Sequence, residues 1–112
     1  MRALIAALLL ASPAAAFEPV TSRDAFVSLV EGRALTRTGI RLDVTSAGDI
    51  AGRAFGTRVS GAWAWRDGYF CRSLYFGSRD LGDNCQLVER SGDVLRFTLD
   101  RGAGDHADLR LR

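Results

Sequence analysis

The residue types best suited to recognition chemistry are gathered in one stretch. Residues 61–76 read GAWAWRDGYFCRSLYF and carry Trp63, Trp65, Tyr69, Phe70, Tyr75 and Phe76, six of the ten aromatics in the chain. Rigid aromatic side chains offer large contact area, so such a run suits an aromatic-lined cup or an exposed recognition edge. The same side chains suit the interior of a small barrel, which needs bulk to fill it. On an extended strand Trp63 and Trp65 share one face, while Tyr69 and Tyr75 share the opposite parity with Cys71. Arg72 interrupts the apolar set Phe70, Leu74 and Phe76. A guanidinium on an apolar face needs a partner. An acid across the sheet, an anionic ligand in a pocket, or a bulge that turns Arg72 outward would each satisfy it. Trp63, Trp65, Tyr69, Arg72, Tyr75 and Arg79 are the candidate surface for a ligand or partner.

Catalytic and metal chemistry find less support. Asp105, His106 and Asp108 hold the only histidine, and an imidazole between carboxylates can ligate a metal or act as a base. Their place beside a turn reads instead as a solvated surface. Residues 77–84, GSRDLGDN, read as a polar connection that presents Arg79 and Asp80, or oxygens for a cation. The segment lacks the ligand order and terminal Glu of a calcium-binding loop. No serine stands in a nucleophile-elbow context. No catalytic, cofactor-binding or metal residue is assigned, no cofactor is expected, and the reading leans away from an enzyme.

Cys71 and Cys85 are the only cysteines. An oxidising compartment favours their pairing, and a loop of about 15 residues closed this way is worth about 3 kcal/mol in the chain-entropy account. A redox or metal pair would want closer spacing or further Cys and His ligands.

The elements that must position these groups follow from periodicity. Residues 1–16, MRALIAALLLASPAAA, have a positive start, an apolar run too short to span a bilayer, and a small-x-small ending. They are expected to be a signal peptide cleaved after Ala16, which places the chain in the periplasm or outside the cell. Residues 17–112 then form a single domain. All 15 basic residues are arginine, set against 13 acids. Loss of Arg2 leaves the mature chain nearly neutral, and its arginines are dispersed, which argues against nucleic acid as a partner. After cleavage nothing remains to insert stably in a membrane.

Residues 21–32, TSRDAFVSLVEG, place Phe26, Leu29 and Val30 on one face of a short helix, with Thr21 or Ser22 as cap and Gly32 as its end. From Leu35 onward turn signals recur every 8 to 12 residues, with strict alternation between them: Ile40, Leu42, Val44; Val59, Gly61, Trp63, Trp65; Leu95, Phe97, Leu99; Leu109, Leu111. This predicts a mostly β fold, an antiparallel meander of about seven strands curled into a small barrel or half-barrel, with the helix capping one open end. Gly52, Gly56 and Gly61 suit bends where a small sheet curves.

Residues 55–85, with GAWAWRDGYFCR at their centre, and the closing LRFTLDRGAGDHADLRLR resemble a family of short exported bacterial proteins often named dihydrodipicolinate reductase. The resemblance extends over the TSRDAF helix and the GRALTR approach to the sheet. The name implies an NAD(P)H-dependent Rossmann enzyme. Here the single G-x-G, Gly102-Ala103-Gly104, has Ala107 in the third glycine's place, and one His and no Lys stand where a His-rich motif with a catalytic Lys belongs. No reductase residue is carried over. Gly61-Ala62-Trp63 followed by Cys71 also resembles a short motif of small secreted barrels that inhibit bacterial metalloproteases. The reading from the residues is a non-catalytic periplasmic β-barrel binding or interaction module, monomeric, with an unknown small molecule or periplasmic protein as partner. The alternatives are an enzyme as the family name implies, or a protease-inhibitor-like barrel.

Overall fold

Alternating side chains and closely spaced turns give a chain of hairpins in the computed structural model, which describes residues 16–112. Apart from Ala16, the expected leader lies outside the described residues. The elements are β1 (Glu18–Pro19), α1 (Arg23–Val30), β2 (Ala34–Arg37), β3 (Ile40–Val44), β4 (Asp49–Ala54), β5 (Thr57–Arg66), β6 (Tyr69–Phe76), β7 (Arg79–Ser91), β8 (Val94–Thr98) and β9 (His106–Leu111). Strands β2 to β9 pair in order as antiparallel neighbours, and β9 returns to β2, so eight strands close into an up-and-down barrel. The seam is Leu35 opposite Leu111 and Thr36 opposite Arg110. Ala34 and Arg112 extend it by exchanging two backbone hydrogen bonds. The mostly β fold with one helix is the expected one; the barrel is fully closed.

Where about seven strands are expected, eight form the barrel and β1 adds a ninth. Residues 79–84 are not a connection but the first half of β7. Their polar composition and Gly82 hide the alternation. Across the hairpin, Ser73 pairs with Asp83 and Tyr75 with Asp80, so β7 carries one extra residue. Gly82, at φ +78°, supplies the left-handed conformation of this bulge. The second half of β7 pairs with β8, and its other edge takes β1, with Glu18 opposite Arg90.

Two inward-facing glycines allow the wall to curve. A Cβ on Gly52 would collide with the Arg41 carbonyl oxygen, and one on Gly61 with that of Ser73. Gly56 lies instead in the β4–β5 turn at φ +79°.

Helix α1 starts where the Ser22 hydroxyl accepts from the Ala25 N–H at 3.1 Å, with Asp24 in its first turn. Eight residues cannot hold a helix alone. Its stability comes from Phe26 and Val30, which are fully buried. Phe26 lies 5.2 Å from Trp63, 5.4 Å from Trp65 and 5.1 Å from Phe70, centroid to centroid. The helix plugs the barrel end that carries the β3–β4, β5–β6 and β7–β8 turns. Arg23 donates to the Ser46 carbonyl at 2.7 Å, and Arg33 pairs with Asp93 at 3.2 Å, each reaching one of those turns.

Opposite each other on β8 and β9, Arg96 and Asp108 form a two-pronged pair at 2.8 and 3.1 Å. Arg96 also lies over the Phe17 ring, 3.9 Å from its centroid. The hydrogen bonds from Arg96 hold the Asp108 carboxyl below the usual carboxylate range.

Phe26→Ala removes the plug and is expected to cost about 3–5 kcal/mol, read by chemical denaturation. Asp108 bears on acid stability. A depressed folded pKa gives stability that is present above the unfolded value of about 3.9 and is lost as pH falls through the folded value. Asp108→Asn is therefore expected to melt below wild type at pH 7, with the gap closing as pH drops below about 4.

Candidate functional site

Eight strands enclose an interior that side chains just fill, or that holds one small ligand. Here side chains fill one part of the interior and leave another part open. At the helix end Phe26, Trp63, Phe70 and Phe97 pack ring against ring. Toward the other end a cavity of about 270 Å³ remains, lined by residues of β2, β3, β4, β6, β7, β8 and β9. Leu35, Leu42, Val44, Ile50, Leu74, Phe97 and Leu109 make it largely apolar. Asp105 and His106, both exposed, stand at its rim beside the β8–β9 turn.

Two polar side chains interrupt the apolar lining, Arg72 from β6 and Gln86 from β7. They are close in register, since Gln86 pairs with Phe70 and Arg72 with Asn84. Arg72 is half-buried and donates to the Gly82 carbonyl at 3.0 Å. The β7 bulge places that acceptor. No ion pair involves Arg72 among the described residues. Burial pushes its guanidinium pKa down, and the field of nearby Asp83 opposes this. Arginine stays charged under such a shift. Gln86 is only 6 % exposed. Among the described residues no side-chain polar atom is both sealed from solvent and unpartnered.

The other candidate residues divide by strand parity. Trp63 is buried in the plug cluster, and its indole N–H donates to the Thr45 carbonyl at 2.8 Å. Trp65 stacks on Phe26 and is half-buried. Tyr69 is half-buried under Arg101, 5.4 Å from ring centroid to guanidinium. Tyr75 and Arg79 are exposed on the outer surface. Only Arg72 of the six lines the cavity. Gln86 and the rim pair Asp105 and His106 complete the polar part of the site. Gln86 carries no sequence signal beyond its parity with Val88, and both become inward-facing once the barrel closes. The disulfide joins Cys71 and Cys85, direct partners on β6 and β7.

The rim turn has an uncommon backbone. Asp100, Arg101 and Gly102 are all left-handed, with φ of +55°, +55° and +97°. Non-glycine residues take this conformation only when held there. The Asn84 amide holds it by donating to the Asp100 carboxylate at 2.8 Å and accepting from the Asp100 N–H at 3.1 Å. Asn84 directly precedes Cys85, so the disulfide-bonded hairpin supports the cavity rim.

Outside the barrel, Arg41, Arg53 and Arg58 face one another across β3, β4 and β5. All three are exposed, and neither ion pair among the described residues includes them. Among the described residues no group of three or more His, Cys, Asp or Glu is placed to hold a metal ion, and no helix is long and apolar enough to cross a membrane.

Compared with known proteins, the chain matches no family model, no curated protein and no solved structure.

Like charges directly opposite in a sheet repel. Arg53→Gln, which keeps a donor for the Gly56 carbonyl, is expected to raise Tm at low ionic strength and to do less in high salt. Asn84→Ala is expected to cost about 1–3 kcal/mol by freeing the rim turn, with faster amide exchange confined to residues 99–105.

Proposed function

We propose that the chain is a non-catalytic binding module that holds a small, largely apolar molecule inside the open half of its barrel. The observation that carries this reading is the cavity of about 270 Å³ with an apolar wall and two convergent polar side chains. An apolar cavity of about 150 Å³ already binds a benzene-sized guest, so this one has room for a larger one. Pockets that hold small molecules have this make-up, apolar walls with a few polar groups that fix orientation. The polar groups within the cavity are a guanidinium and an amide. Neither is a nucleophile or a general base, and the groups that could act as a base, Asp105 and His106, stand exposed at the rim, which supports binding over turnover. The disulfide supports an exported location, where thiols are oxidised.

Methyl NMR on the folded domain tests the reading with a neutral probe, 1-octanol. The methyl signals of Leu42, Val44, Ile50 and Leu109 are expected to shift on titration. Ala107→Phe places a ring in the cavity from β9 and is expected to abolish those shifts while the domain remains folded. Absence of shifts in wild type, or equal shifts in Ala107→Phe, would overturn the proposal.

A further inference from the structure

The geometry points to a carboxylate as the head group of the molecule the cavity takes, held by the Arg72 guanidinium with the Gln86 amide beside it. This rests on the binding reading above and names its ligand class, an apolar monocarboxylate. A charge among apolar side chains is costly unless it is paired. Arg72 meets that cost only in part. One of its nitrogens donates to the Gly82 carbonyl, a neutral acceptor, and no carboxylate of the described residues forms an ion pair with it.

The surrounding acids do not fill that place. Asp83 lines a second groove with Ala62, Ala64 and Cys85, which Arg72 also borders, and its field reaches Arg72 without an ion pair. Asp105 is exposed at the rim, next to His106. A guanidinium presents five donors in a planar fork that matches two carboxylate oxygens. One bond to Gly82 leaves donors for a ligand. Gln86, nearly sealed by the wall, adds an amide that can donate to an oxygen bound at Arg72.

The charge count sets the class. Arg72 is the only charged side chain inside the cavity; the other ionisable lining residues, Asp105 and His106, stand exposed at the rim. One fixed positive charge balances a monoanion. A phosphate dianion would enter the apolar space with charge left over, and an ammonium would meet like charge. The apolar lining opposite, Leu42, Val44, Ile50 and Leu109, takes the hydrocarbon part.

Three probes of equal chain length separate the outcomes: octanoate, 1-octanol and octylamine, titrated at pH 7 by intrinsic tryptophan fluorescence and calorimetry. Octanoate is expected to bind about tenfold or more tighter than 1-octanol, the size of a charge-assisted hydrogen bond, and octylamine weakest. Arg72→Gln is expected to erase the advantage of octanoate over 1-octanol. A second measurement needs no variant. The carboxyl of ¹³C-labelled octanoate, followed by NMR on the wild-type complex, is expected to titrate below its free value. Equal binding of octanoate and 1-octanol, or a bound carboxyl that titrates at or above its free value, overturns the carboxylate inference and leaves the binding reading standing. Failure of both octanoate and 1-octanol to bind overturns both.

Discussion

Eight strands enclose a fixed width of interior, and everything else in this structure follows from how that space is divided. Inward side chains from the wall do not fill it from end to end. At the helix end Phe26 enters from outside the sheet and meets Trp63, Trp65 and Phe70. The helix is too short to persist alone, and the barrel end is too open to stay dry alone. Each supplies what the other lacks. The opposite end has no such plug, and the space left there is the cavity. The plug and the cavity thus divide one tube between them and share Phe70 and Phe97, which pack on Phe26 and also line the cavity. Core packing can be tight around Phe26 without closing the site.

The polar side chains obey the same division. Trp63 uses its indole N–H on a turn carbonyl at the plugged end and adds no free polarity to the interior. Arg72, its direct partner on β6, is placed where the packing gives out. The bulge at Gly82 turns one carbonyl to the guanidinium, and among the described residues the rest of its donors have no acceptor. A single extra residue in β7 therefore decides how much of Arg72 is satisfied by the protein and how much is left for something else.

Much of the fold was legible because burial on one face writes itself into a strand as period two. Ile40, Leu42 and Val44, or Leu95 and Phe97, could belong only to one side of a pleat. The helix was legible from Ser22, Asp24 and the spacing of Phe26 and Val30. The parity of Trp63 and Trp65 against Tyr69 and Tyr75 also carried over, and it sent the first pair to the core and Tyr75 to the surface. Residues 79–84 resemble a loop in sequence because a strand with a bulge and a solvated outer face loses its alternation. The cavity was not legible at all, apart from Arg72 as an anomaly on an apolar face. Arg72 and Gln86 come to line one cavity with His106 only because eight strands close a circle, and no local pattern records a circle.

That circle has one seam unlike the rest. Every other barrel pairing joins strands adjacent in the chain, and each can form as a hairpin by itself. The pairing of Leu35 with Leu111 joins the first barrel strand to the last. Its loop-closure entropy is the largest in the molecule and must be met before the contact rewards it. Until the seam forms, β2 and β9 are bare edges, and α1, which leads directly into β2, has no closed end to plug. Closure, plugging and the creation of the cavity are therefore a single late event. A chain caught before it presents the β2 edge to the β9 edge of any second copy, and two such chains can complete each other's barrels. The feature that pairs the β2 and β9 edges in the finished protein makes its last folding step the one at which copies can be exchanged.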